Sequence, residues 1–266
     1  MDDLPTLQRL TRDLRSATAT LSDAEARFLV DAYYIIQEDR KRSGNQVRSM
    51  ENEPHALLAW FFSQNEMLES QLKAALDRYS NTKPIGTWMK SIYGIGPVIA
   101  AGLMAHINIK EAPTAGHIWR YAGLDPTSKW EKGQKRPWNA GLKTLCWHIG
   151  QSFMKFSNRE ECFYGKLYRE RKEYEIARNN RGDNAAVAET LKAKFNKNTD
   201  AYKHLSNGKL PPAQIDARAR RWAVKIFLSH MQAVWWKMET GQDAPKPYIL
   251  TRDHGHTHEV LPPNWP

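Results

Sequence analysis

Apolar residues along this chain recur at intervals of three and four, the spacing of one helix face, and the pattern predicts an all-α protein. In "LSDAEARFLVDAYYIIQEDRKR" Ser22 is the expected N-cap, and Glu25 completes a capping box. Phe28, Ala32, Ile35 and Ile36 then recur on one side. "KRSGNQVRSMENEP" has no period and reads as a connection. A second helix is expected from about residue 54 to 79, striped by Leu57, Leu58, Phe61, Phe62, Leu68, Leu72 and Leu76 and ended by "SNTKPIG". "GLKTLCWHIGQSFMKFS" places Leu142, Leu145, Cys146, Ile149 and Phe153 together. A charged helix follows over about 160–178, then a flexible break at "ARNNRGDN" and another at "LSNGKLPP". Pro211 and Pro212 are suited to opening the long periodic segment that follows, whose stripe includes Ile215, Trp222, Ile226, Phe227, Val234, Trp235 and Met238. Between residues 107 and 139, turn formers mix with lysines and tryptophans, and a short β-hairpin is expected near 124–138. The segments divide as 1–53 (helical), 54–156 (a helix-hairpin-helix domain), 157–250 (helical) and 251–266 (an irregular tail).

Charge narrows the partners. The 266 residues carry a net +10, and its distribution is uneven: −3 over 1–82, +9 over 83–172 and +4 over 173–266. That concentration favours a polyanionic partner. Two cysteines, Cys146 and Cys162, imply no disulfide framework and suit a reducing cytosol. Asp2 and Asp3 open the chain where a secretory leader would be basic and then apolar. The longest weakly polar run, 91–107, falls short of the roughly 18 residues of a membrane span. The expectation is a cytoplasmic protein without a membrane partner, in a prokaryotic nucleoid or a phage-infected cell.

The +9 segment opens close to "SIYGIGPVIAAGLMAHI". A dinucleotide-binding turn would need a third glycine where Ile99 stands. Two readings remain. Gly94 and Gly96 permit a tight corner between helices, or the amides of Gly94-Ile95-Gly96 point at a phosphate from the start of the next helix. Ala100, Ala101 and Ala105 would allow close packing, with Ile95, Ile99 and Leu103 filling the space between. Backbone amides read no base, so such a grip is indifferent to sequence.

"IYGIGPVIAAGLMAHI", "HIWRYAGLDPTS" and "GLKTLCWHIGQSF" together resemble the C-terminal domain of the bridge-RNA-guided insertion-sequence transposases, over roughly residues 60–156. The resemblance implies a Gly-x-Gly-Pro hairpin, a Tyr-Ala-Gly-Leu-x-Pro turn and a basic helical end. "FFSQNEMLESQLKAALDRY" is similar to the family's helical lead-in. The family also carries an N-terminal nuclease domain with four acidic metal ligands, for which residues 1–59 are too few. Its nucleophilic serine, five residues past the turn proline, corresponds to Glu131, followed by Lys132 and Gly133. A carboxylate there cannot form a phosphoserine. Ser128 is the nearest serine and the one weak catalytic candidate.

"SKWEKGQKRPW" interleaves cations suited to phosphates with Trp130 and Trp138, which are expected in the core. The predicted nucleic-acid contacts are Lys90, Gly94, Ile95, Gly96, Arg120, Lys129, Lys132, Lys135, Arg136 and Lys143. Arg218, Arg221 and Lys225 form a second track on one helix face. "DHGHTH" sets His254, His256 and His258 on one side of an extended strand, a weak metal candidate beside Asp253. No cofactor is expected. The leading expectation is a DNA-binding protein with little sequence choice, with DNA favoured over RNA and with a second copy or a partner protein of a mobile element as further partners. An active recombinase or nuclease with an unrecognised or partner-supplied site, and a structural protein of a phage or mobile element, are the alternatives.

Overall fold

A computed structural model describes residues 9–50, 55–245 and 260–265. These residues form helices and turns and contain no strand. The chain divides into two compact units, one of Met1–Ser91 with Ile95–Glu111, the other of Ile92–Gly94 with Ala112–Pro266.

The first unit holds α1 (Arg12–Ala17), α2 (Asp23–Ser49), α3 (Ala56–Ser80), α4 (Pro84–Ser91) and α5 (Pro97–His106). The Ser22–Glu25 capping box opens α2 as expected, with Ser22 N–H donating to Glu25 Oε2 at 2.8 Å. The helix then runs through the stretch read as a connection, as far as Ser49. Gly44 permits this: a Cβ there would lie 2.9 Å from the Phe62 ring, so only glycine lets α3 approach so closely. The apolar stripe of α2 needs a second correction. Ala26, Val30, Tyr33 and Gly44 face inward, whereas Phe28 and Ile35 are 72% and 64% exposed. The inward face carries polar partners instead. Tyr33, Gln37 and Arg40 all donate to Glu69 of α3, which lies antiparallel. Burial disfavours the charge on Glu69, but the bonds from Arg40, Gln37 and Tyr33 outweigh it and hold its pKa low. On α3, Leu76 is buried as expected, while Leu57 and Phe61 are exposed. α5 is buried from Val98 to Ala105, and Arg27 donates to the Ala105 carbonyl at 2.5 Å.

The second unit holds α6 (Ala115–Tyr121), α7 (Ala140–Lys155), α8 (Phe163–Arg181), α9 (Ala185–Lys192), α10 (Asp200–Ser206) and α11 (Pro212–Thr240). Its core is aromatic: Phe153, Tyr164 and Phe227 meet with ring centroids 5.0–5.6 Å apart. Tyr164 and Val260 bracket His230, whose Nε2 lies 2.7 Å from the Val260 carbonyl and whose Nδ1 lies 2.9 Å from the Tyr164 hydroxyl. Across α8 and α11, Asp216 joins Tyr168, Lys172 and Arg220. The break at 177–184 is more ordered than its composition suggests. Helix α8 continues to Arg181, Gly182 ends it with φ +88°, and Asn179 exchanges two hydrogen bonds with the Leu210 backbone. Ala188, Leu205, Leu210 and Ile215 then form a small separate core.

The expected β-hairpin near 124–138 is not there. Local bonds satisfy this backbone instead: Ser128 N–H donates to Asp125 O, Gln134 N–H to Glu131 O, and the Asp125 carboxylate caps Thr127 at 2.9 Å. An Asx turn of this kind competes with strand pairing. No helix among the described residues is long and apolar enough to cross a membrane.

Candidate nucleic-acid interface

The Gly94-Ile95-Gly96 turn connects α4 to α5, and its two glycines do different work. Gly94 sits at φ +97°, where a side chain is strained. A Cβ there would also meet Phe153 at 3.3 Å and Ser152 Oγ at 3.4 Å. The Ser152 hydroxyl donates to the Gly94 carbonyl at 2.5 Å. Gly96, by contrast, is the N-cap of α5 with extended backbone and nothing within 4 Å of a Cβ. The strained torsion therefore belongs to the first glycine. Ile95 is buried, so only the backbone of this turn is available to a ligand. Gly94→Ala should lower stability by about 1–3 kcal/mol in a thermal or urea melt, whereas Gly96→Ala should leave it within about 0.5 kcal/mol. Equal losses would contradict this division.

Lys90 is committed elsewhere in its own unit, its ammonium bound to Asp77 at 2.5 Å and to Asn81 at 2.7 Å. The remaining cations all belong to the second unit. Lys129, Lys132, Lys135 and Arg136 are exposed on the turn-rich loop, as are Arg120 and Lys143 on their helices. Lys143 lies over the Trp138 ring at 4.1 Å, and Trp138 packs on Gly123, where a Cβ would be 2.7 Å away. Trp130 departs from its expected core position: it is exposed, with Arg136 stacked 5.2 Å from its ring centre and its indole donating to the Gln134 carbonyl.

The two predicted tracks converge. Desolvation first, then the like charges of Arg136 and Arg221, push the Lys143 pKa down. Arg221 is lowered in turn by the protein around it and by Arg218 and Arg220. Lys225 is lowered by burial; it lies 4.4 Å from the Trp119 ring centre and is opposed only by Asp125. Among the described residues no carboxylate forms an ion pair with Arg136, Lys143 or Arg221, although neighbouring Arg218 and Arg220 are paired with Glu175 and Asp216. A lysine held low by burial and by neighbouring positive charge gains from an anion, which offsets that repulsion.

Ser128 lies in the turn that Asp125, not the serine, caps. The histidine candidates His254, His256 and His258 lie outside the described residues. Elsewhere no group of three His, Cys, Asp or Glu is placed to hold a metal ion among the described residues. Cys146 and Cys162 are free and buried, and burial raises the Cys146 thiol pKa to about 12, far from a reactive thiolate. Two exposed aromatics near the loop were missed. Trp147 stands one turn beyond Lys143 on α7, and Tyr121 accepts a bond from Asn139. Their signal was the phase of Trp147, which falls off the stripe of Leu142, Cys146, Ile149 and Phe153.

These features define a helical, cation-rich domain with an unpaired basic cluster. Residues 87–164 match the family described as Transposase IS116/IS110/IS902, so this segment is related to mobile-element transposases. No curated protein and no solved structure matches the chain.

Proposed function

We propose that this protein binds nucleic acid, DNA in preference to RNA, through phosphate contacts with little sequence choice. The charge of Arg136 and Arg221 acting on Lys143, with no pairing carboxylate on any of the three among the described residues, supports it most directly. A phosphate there would offset the positive charge that Arg136 and Arg221 set against Lys143, and counterion release from the nucleic acid adds to the gain. Lys129, Lys132, Lys135 and Arg120 extend the cationic surface along the loop and α6. The Gly96 end of α5 offers backbone amides as a further phosphate grip in a helix-hairpin-helix arrangement. Its N-cap carries no side-chain hydrogen bond to occupy them. The relation of residues 87–164 to mobile-element transposases is consistent with this reading.

Fluorescence anisotropy on duplexes of two unrelated sequences, at several salt concentrations, tests this. For about five phosphate contacts, log affinity against log salt should fall with slope near −4 for B-form DNA. Exchanging the sequence should matter far less than halving the duplex length. A flat salt response would refute it.

A further inference from the structure

A groove of about 510 Å³ opens beside the cationic cluster, between the α9–α10 pair and the start of α11. We infer that it seats an unpaired nucleobase of a polynucleotide whose phosphates lie on the cluster, which rests on the function proposed above. Its volume lies within the roughly 300–1,000 Å³ of small-ligand pockets. Leu191, Phe195, Pro211 and Ala217 make the walls apolar, and Gln214 supplies an amide able to pair with a base edge.

The two cations on its lining are held differently. Arg218 is fixed by Asn184 at 2.9 Å and by the buried Glu175 at 3.5 Å. Arg221 has no such partner among the described residues, and it is the same residue whose charge acts on Lys143. Arg221 is exposed at the groove, where it can meet an anion that a wholly apolar occupant would not supply. An aromatic base attached to a phosphate satisfies both the walls and the charge. Arg221 itself lines the groove, so a phosphate that it holds lies beside the walls, whereas a paired base could enter only by leaving its stack. The groove therefore selects nucleic acid with a bulge, a branch or a single-stranded stretch.

The test uses the full chain and a DNA duplex with one bulged 2-aminopurine, against the same duplex fully paired, at one salt concentration. The bulged duplex should bind about tenfold more tightly, the scale of one base stacked on an aromatic side chain. Ala217→Phe, which fills the groove, should abolish that preference and leave paired-duplex affinity unchanged. Phe195→Ala, checked by thermal melting, should lower the preference without the added bulk. The same pair built in RNA shows which sugar carries it; a preference in either supports the inference. Equal binding of bulged and paired duplexes in both sugars, or equal loss with both ligands in Ala217→Phe, would overturn it. Salt-sensitive binding without preference overturns the base seat alone, whereas absence of any binding overturns the proposed function too.

Discussion

Replacing Arg136, Lys143 and Arg221 together by alanine should weaken duplex binding by about a hundredfold or more near physiological salt and make the salt slope shallower by about 3. The same variant should melt no lower than the parent. Among the described residues each of these cations lacks a carboxylate partner, and Lys143 and Arg221 are held at lowered pKa by their surroundings and by neighbouring positive charge. Removing them relieves repulsion, so stability and binding should move in opposite directions. Lys90→Ala provides the contrast. It breaks the ion pair with Asp77, so its effect should appear in the melt and hardly at all in the salt slope. If the triple variant binds as the parent does, the cluster is not a phosphate site.

Acidification from pH 6.5 to about 4 should cost the second unit about 3 kcal/mol through His230 alone. Burial pushes this imidazole down to about 4, with the Val260 carbonyl pulling weakly the other way. Its Nε2–H donates to Val260, so Nδ1 must accept from Tyr164 and has no room for a proton. The unfolded chain takes up that proton below its ordinary pKa of about 6.5, while the folded chain waits until about 4. Stability is therefore complete above pH 6.5, falls across that window and levels off below it. Carboxylates with lowered pKa, such as Glu69 and Asp216, lose their contribution at lower pH still, which separates the two effects. Urea melts of the parent and His230→Gln at pH 7 and 5 check this. The variant should lose the extra dependence between those two values.

The helical class and the starts of α2, α7 and α11 were legible because apolar spacing and caps are local properties. The Ser22–Glu25 box, the Pro212 start and the α7 stripe needed nothing beyond their own windows. The errors share a cause in tertiary context. Phe28 and Ile35 mark a good apolar face, yet α2 turns the other way, because a buried Glu69 with three donors and the Gly44–Phe62 approach fix its rotation. The hairpin expected near 124–138 failed because Asp125 satisfies the turn from its own side chain. For the candidate site, the cationic residues were legible as two separate tracks. Their meeting depends on how α11 packs beside α7, and no local window contains that information. Which glycine bears the strained torsion was likewise hidden, since it depends on Phe153 and Ser152 more than fifty residues away.

The segment shared with transposases and the units that pack together do not coincide. Residues 92–94 pack with the second unit although the chain on either side of them belongs to the first, and the family match runs from 87 to 164 across both. A fragment trimmed to that match would keep α5 without α2 and α3, which cover it, and Phe153 without Phe227 of α11. The stretch related to transposases thus draws its packing partners from helices outside it. A graft of it into another protein should keep its native packing only if the flanking helices are carried along.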